Sequence, residues 1–552
     1  MTPEQLSTAI VGALTDLLEA GALNLPDGVP ASVVVERPKN RDHGDYATNV
    51  ALQLAKKAGL KPRDLAGLLA ARLEKVDGIG AVDIAGPGFL NVTVAEGTQG
   101  RVAADIVVAG SEYGHTKTLA GQRINVEFIS ANPTGPLHLG HTRWAVVGDA
   151  IARVLAAAGA EVTREFYIND RGNQMDLFGA SIEAAALGEP IPEDGYQGDY
   201  IKTLAERIVA RQPDILDLPD DERRVAFREA GYELQLKEQQ EQLEKFHTHF
   251  DVWFSERSLH EGDVAASLEK LRDQGHLFDA DGALWMRTTD FGDDKDRVLI
   301  RSNGELTYFA SDTAYYVNKR ERGFDRCIYL LGADHHGYVG RLKAMAACAG
   351  DDPDQTLEVL IGQMVKITKG GEEVRLSKRA GDIVTLDELV DEIGVSALRY
   401  SLARYPADSP LTLDIEQITR QASDNPVFYV QYAHARVASI LRNAEQLGIA
   451  FGPDADTSLL THEKEGTLLR ALAEFPRVVA TAAQLREPHR VARYLEETAA
   501  TYHRFYDECR VLPMGDVVPT DLHRARLLLV AATRTVLANG LDLLGVDAPE
   551  RM

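Results

Sequence analysis

The 552-residue chain predicts three units in series: a small α+β domain, a larger α/β domain on a doubly wound parallel sheet, and a closing all-α bundle. Three observations carry this. Between about 121 and 385, short apolar strands alternate with helical segments across glycine-bearing turns, the pattern of parallel α/β structure. Before 115, two short alternating strands at 81–85 and 89–94 flank Gly86-Pro87-Gly88. From Asn425-Pro426, a cap followed by proline at the first helical position, helix-period segments at 426–447, 465–485, 488–508 and 520–544 follow one another, as in a bundle. The units are therefore placed at 1–115, 116–385 with a helical insertion at about 180–285, a stem at 386–424, and 425–552; a chain this long needs several cores.

The bulk numbers exclude several classes. Apolar residues make up 45% and charged residues 26%, ordinary for a water-soluble chain. No run reaches the roughly 18 apolar residues of a membrane span. The first twenty residues form an amphipathic helix without a basic head or cleavage site, so a cytoplasmic location and no membrane are expected. Cys327, Cys348 and Cys509 lie far apart with no CxxC pair, which supports neither a disulfide framework nor a zinc site, and no protein-held metal is expected. The net charge of −25 opposes general nucleic-acid binding. It is uneven, however: residues 425–552 hold 14 Lys and Arg against 16 Asp and Glu, so the remaining 424 residues carry −23. Any footing for a polyanion must be local.

In the first unit, the opening helix leads to a strand at 32–36 and then to a basic loop with Arg37, Lys39 and Arg41. A Gly44-Asp45 turn follows, and then a helix from about Tyr46 that Gly59 ends. Propensity alone favours a surface loop before a packed helix.

The second unit opens on a strand at 123–130 that runs into EFISANPTGPLHLGHTR, residues 127–143. The strand breaks at Pro133, Gly135 and Pro136, and an alanine-rich helix at 138–158 begins with His138-Leu139-Gly140-His141 and ends at Gly159. A helix starting there turns unpaired N–H groups and its positive dipole end toward the loop, a ready anion site. Gly140 leaves room for a flat base or ribose. His138 and His141 share a helical face and can both donate to phosphate oxygens, each such donor being worth roughly 3–4 kcal/mol. A tight turn with two surface histidines is the competing reading.

A strand at 162–168 then leads to Asn169-Asp170-Arg171-Gly172-Asn173-Gln174, and the charged helices of 180–285 read as solvated faces with no assigned chemistry. In LTYFASDTAYYVNKR, Tyr308 and Asp312 are four apart and share a helical face. A carboxylate takes a guanidinium as a two-pronged charged hydrogen bond, although Ser311 or Asp312 serving only as a helix cap fits as well. His335 and His336 follow in GADHHG. A basic loop, Val374-Arg375-Leu376-Ser377-Lys378-Arg379, comes after a hairpin-like 366–373. In the last unit Tyr429, Tyr432 and Arg436 are helically spaced, a pattern more common in cores than in base-stacking platforms.

The stretch from Ser130 to Arg143 resembles the HIGH signature of class I aminoacyl-tRNA synthetases, in the form found in arginyl-tRNA synthetases, and the RLSKR loop resembles their KMSKS signature. The GDYATN segment is similar to their N-terminal domain, the C-terminal helices and LLGVDAPERM to their DALR-type anticodon-binding domain, so the likeness spans nearly the whole chain. It implies a Rossmann-like catalytic domain that uses ATP and Mg2+ to activate L-arginine and then charges tRNA(Arg), working as a monomer. It implies His138, His141 and Lys378 as catalytic groups, and Gly135, Pro136, Gly140 and Ser377 beside them at ATP. It places Tyr308 and Asp312 at the arginine side chain, Glu127 and Asn132 at its α-amino group, and His335 near the pocket. Arg37, Arg41 and Tyr46 become tRNA-elbow candidates; Arg436, Arg486, Arg490, Arg493 and Tyr494 become contacts for the anticodon domain. The rival readings are a non-tRNA nucleotidylyltransferase on the same fold and a catalytically silent RNA-binding relative.

Overall fold

A computed structural model describes residues 3–38, 43–95, 98–373, 384–515 and 517–552. Its centre is a five-stranded sheet: β1 (Arg123–Glu127), β2 (Glu161–Ile168), β3 (Val252–Ser255), β4 (Arg326–Gly332) and β5 (Leu357–Gly362). The order is β5-β4-β1-β2-β3 and every pairing is parallel, with Ile124 opposite both Arg326 and Val162. This is the doubly wound Rossmann-like arrangement. The strand order reverses between β1 and β4, and in such sheets ligands sit outside the carboxyl ends of the strands at that reversal.

Helix α1 (Leu139–Ala157) follows β1 after the signature loop and is buried along most of its length. It lies between the sheet and the C-terminal bundle, so its alanines and valines face neighbours on more than one side. Helix α2 (Asp220–Lys245) belongs to the insertion, α3 (Tyr308–Glu321) precedes β4, and α4 (Leu386–Ile393) opens the stem. A capping box of Thr385 and Glu388 starts α4.

The structure corrects several sequence expectations. β1 ends at Glu127, three residues early, because Ile129 and Ser130 take positive φ angles of 69° and 45°. β3 falls inside the segment assigned to the insertion; at four residues it is too short to show a period among charged neighbours. In the first unit the expected helix at Tyr46 is a strand, Tyr46–Thr48, paired antiparallel with Phe89–Val94 and followed by a helix of only Val50–Leu54. The alternation that buries Tyr46 and Thr48 while leaving Ala47 half-buried overrides helix propensity there. The strand expected at 32–36 is reduced to one antiparallel bridge, Glu36 to Ala47. Asn425 does precede Pro426, but its side chain bonds back to the Ile418 and Arg420 carbonyls rather than capping the helix.

A buried polar hub joins the units. Arg399, fully buried in the stem helix Val395–Ala403, pairs with buried Asp149 of α1. It also donates to the carbonyls of Phe246 after α2 and of Leu544 near the C-terminus. Arg143, buried in α1, donates to the carbonyls of Gln363, Pro406 and Ser409.

Candidate active site

Two strand ends form the site. Beyond β1 the chain crosses the strained pair Ile129-Ser130 and reaches His138, the N-cap of α1. The His138 Nδ1 accepts from the Gly140 N–H at 3.1 Å, and the His141 Nδ1 accepts from the His138 N–H at 3.3 Å. The two rings lie 3.9 Å apart. Burial lowers the His138 pKa; burial and then the neighbouring His138 lower that of His141 to about 3. Both imidazoles are therefore neutral at pH 7. With Nδ1 used as an acceptor, the proton sits on Nε2, so each ring presents an N–H donor beside the dipole of a 19-residue helix. The absent side chain at Gly140 makes room for this ring: a Cβ there would lie 2.9 Å from His138 Cε1.

The arginine-pocket candidates gather on α3 and β1. Thr307, not Ser311 or Asp312, is the N-cap of α3, which removes the capping role as the reason for Asp312. Asp312 is half-buried and accepts from the Tyr338 hydroxyl. Burial lifts its pKa to about 6; the Tyr338 bond opposes the rise, and the charges of Glu127 and Glu256 add to it. Three carboxylates thus crowd one niche. Glu256 is buried, and burial raises its pKa as well. Tyr308 is 71% exposed and lines, with Ser311 and Glu256, a cavity of about 950 Å3 at the ends of β2 and β3.

Glu127 is already engaged. Its Oε2 lies 2.6 Å from Lys319 Nζ, and its Oε1 accepts from the Ser130 hydroxyl at 3.0 Å. Lys319 is fully buried over the rings of Tyr315 and Tyr329, at 4.3 and 4.0 Å. Beneath it, Glu165 takes both terminal nitrogens of Arg322 at 2.6 and 2.8 Å. Burial works against ionisation of Glu165, and Arg322 and Lys319 more than offset it, holding the carboxyl below its usual range. Lys319, Glu256, Tyr338 and Ser130 escaped the sequence reading. One signal was present: Tyr308, Asp312, Tyr315 and Lys319 fall at i, i+4, i+7 and i+11, a single helical stripe.

The other candidates divide. Asn132 donates to Gln174 Oε1 at 2.6 Å, within the same loop region as Gly135 and Pro136. His335 is turned outward: the 3-10 turn Ala333–Tyr338 aims Tyr338 at Asp312 and leaves His335 exposed beside Asp334. Tyr46 is only 3% exposed, and burial lifts its pKa to about 12, so its ring offers no surface to RNA. Arg37 holds the N-terminal unit against the bundle through Glu474 at 2.9 Å and the Arg470 carbonyl at 2.7 Å. Arg486 and Tyr494 are likewise buried, bonded to Glu358 and to the Ala471 carbonyl. Arg490 is exposed beside Glu487, Arg493 is exposed, and Arg436 lies 4.2 Å above the Tyr506 ring. Arg41, Ser377 and Lys378 fall outside the described residues.

The described chain flanking Lys378 is nevertheless tied to the first signature. The Leu139 N–H donates to the Val384 carbonyl and the Leu386 N–H to the Leu137 carbonyl, both at 2.9 Å, forming an antiparallel bridge between His138 and Thr385.

A doubly wound sheet whose first strand delivers paired imidazoles to a helix N-terminus, with Val384–Leu386 bonded against that entrance, defines a class I aminoacyl-tRNA synthetase. Family descriptions match in chain order: the arginyl tRNA synthetase N-terminal domain over 4–94, the class I (R) tRNA synthetase catalytic domain over 103–206 and 210–404, and the DALR anticodon binding domain over 430–552. The chain belongs to the arginyl-tRNA synthetases. It is 60% identical to an arginine–tRNA ligase of Renibacterium salmoninarum and 58% identical to one of Kineococcus radiotolerans, with all of both chains covered in each case. Among solved structures, an arginyl-tRNA synthetase assigned in Campylobacter jejuni is 31% identical with a TM-score of 0.75, covering 83% of this chain and 100% of that one. The Thermus thermophilus enzyme shares the fold, with a TM-score of 0.74 at 24% identity over the full length of both.

Proposed function

We propose that this ATP-dependent arginine–tRNA ligase activates arginine in the niche between β1 and α3 and transfers it to the terminal ribose of tRNA(Arg). Full-length likeness to arginine–tRNA ligases favours this over a non-tRNA nucleotidylyltransferase or a silent relative. The guanidinium meets Asp312 under Tyr308, with Glu256 adding negative charge to the niche. Glu127, held by Lys319, and Asn132 face the α-amino end. In the first step an arginine carboxylate oxygen attacks the α-phosphorus of ATP and pyrophosphate leaves. The Nε2–H groups of His138 and His141 donate to phosphate oxygens, and Lys378 neutralises the departing pyrophosphate. In the second step a terminal ribose hydroxyl attacks the adenylate carbonyl and AMP leaves.

No group of three or more His, Cys, Asp or Glu side chains able to hold a metal occurs among the described residues. Magnesium would arrive on the triphosphate, where it neutralises phosphate charge. Of the anticodon-domain candidates, exposed Arg490 and Arg493 and half-buried Arg436, with Tyr432 beside them in the same domain, remain open to RNA. No helix among the described residues is long and apolar enough to cross a membrane. Likeness to arginine–tRNA ligases supports a monomer acting in the cytoplasm.

The tie between His138-Leu139 and Val384-Thr385 carries this reading, because it brings the exit of the second signature segment to the entrance of the first. The test is aminoacylation of total tRNA with each of the twenty amino acids. Arginine alone should be attached, and Lys378→Ala should slow attachment at least tenfold. Attachment of another amino acid instead, or normal turnover in Lys378→Ala, would overturn it.

A further inference from the structure

The insertion grips the first signature loop and the start of α4 with amide side chains. Gln235, Gln239 and Gln242 lie on one face of α2 and are 1%, 0% and 7% exposed. Gln239 Nε2 donates to the carbonyls of Asn132 at 3.1 Å and Gly135 at 2.8 Å, so both its N–H groups hold the backbone of the signature loop. From the neighbouring insertion helix Asp199–Arg211, the Tyr200 hydroxyl donates to the Thr134 carbonyl at 2.8 Å. Three carbonyls, of Asn132, Thr134 and Gly135, are thereby fixed in a stretch that has no strand or helix bonds of its own. Gln242 Nε2 donates to Asp387 Oδ2 at 2.8 Å, in the first turn of α4, directly after the Val384-Thr385 bridge to His138.

This face is not what packing alone would select. Gln235 Nε2, Gln239 Oε1 and Gln242 Oε1 are buried without a partner, and an unpartnered buried polar atom opposes folding. Leucine would fill the same space without an unpartnered amide atom, at the loss of the bonds to the loop and to Asp387. The loop, in turn, needs external bracing: Ile129, a β-branched residue, and Ser130 hold positive φ, a conformation that persists only where the surroundings over-determine it.

We propose that α2 is a positioning strut for adenylate formation. Gln239 fixes the loop that carries Asn132 and leads into His138, and Gln242 fixes the start of α4, so one rigid helix sets the spacing between the first signature loop and the helix that follows the second. The inference rests on the reading of His138 and its loop as catalytic machinery, and the test separates the two. Misplacing a reacting group by about 1 Å costs up to a hundredfold in rate.

The experiment is ATP–pyrophosphate exchange by the full-length protein with tRNA(Arg) present, with thermal melting and arginine binding measured in parallel. Gln239→Leu should lower kcat at least tenfold, in protein that still melts cooperatively, while the arginine dissociation constant, linked to the same loop through Asn132, changes by less than that. Gln242→Glu sets two carboxylates against each other and should lower kcat at least fivefold; adding Asp387→Asn reverses the donor and should restore kcat to within twofold. A folded Gln239→Leu with normal kcat would overturn the strut. Should Gln239→Leu fail to fold, the decision passes to the reversal pair, and equal activity in Gln242→Glu and the double variant would overturn it. His138→Ala is the control: if it too retains normal exchange, the reading of the loop falls; if it alone loses activity, only the strut falls.

Discussion

Arginine affinity should depend on pH through Asp312, and the structure supplies the size and sign of the effect. In the free protein burial, with the charges of Glu127 and Glu256, lifts this carboxyl to about 6. The guanidinium remains charged throughout the accessible range, and only ionised Asp312 offers it two acceptors. A bound cation favours the ionised form, so the pKa falls on binding and affinity strengthens as pH rises through 6. With a pKa near 6 the ionised fraction is about 0.99 at pH 8 and about 0.09 at pH 5. The dissociation constant should therefore rise about tenfold between those values, or ~1.4 kcal/mol. Near pH 6 binding should release about half a proton, visible in calorimetry as an enthalpy that changes with the ionisation enthalpy of the buffer. The sign for stability runs the other way. A carboxyl whose folded pKa is raised stabilises the fold fully below about 4 and loses that contribution as pH climbs through 6, so the thermal shift given by saturating arginine should grow with pH. Asp312→Asn should bind weakly with no pH dependence. A wild-type dissociation constant that stays within twofold from pH 5 to 8, in protein still folded at both ends, would refute the reasoning.

Three further outcomes follow from other contacts. His138→Ala should slow adenylate formation at least tenfold with arginine binding within twofold, and the wild-type rate should show no imidazole limb between pH 7 and 8, because burial lowers the pKa of both rings; a rate limb between pH 7 and 8 that the variant abolishes would contradict the neutral assignment. Lys319→Met strands buried Glu127 without its cation and should cost about 3 kcal/mol of stability, read from urea unfolding; an unchanged midpoint would show that the pair is dispensable. Arg399→Met should likewise cost about 3 kcal/mol by leaving buried Asp149 short of a partner, and Asp149→Leu added to it should recover part of the loss, whereas a double variant weaker than the single one would speak against that account.

The alternation of strands and helices made the parallel sheet legible, because buried parallel strands read as apolar runs between turn residues. The signature loop was legible for a different reason: histidine, glycine and proline have few interchangeable roles at a helix entrance. Lys319 was illegible because it sits in a run of charges that normally marks a solvated helix end, and only its burial under β1 turns it into the partner of Glu127. Tyr46 erred in the opposite direction. A tyrosine beside three basic residues invites an RNA contact, yet strand pairing with Leu90–Val92 carries its ring into the core. His335 shows the limit at finer scale, since Tyr338, three residues further along the same 3-10 turn, meets Asp312 while His335 stays exposed.

By itself the sequence determined the order of the units, the sheet class and the residue types at both signatures, since periodicity and turn chemistry are local properties. Tertiary structure alone decided which charges are buried against each other, which arginines are spent on holding domains together, and that the insertion reaches the signature loop with Gln239 and Gln242. Those outcomes depend on contacts between positions a hundred or more residues apart, where burial and partner choice, rather than any local pattern, set the free energy of a charged or amide group.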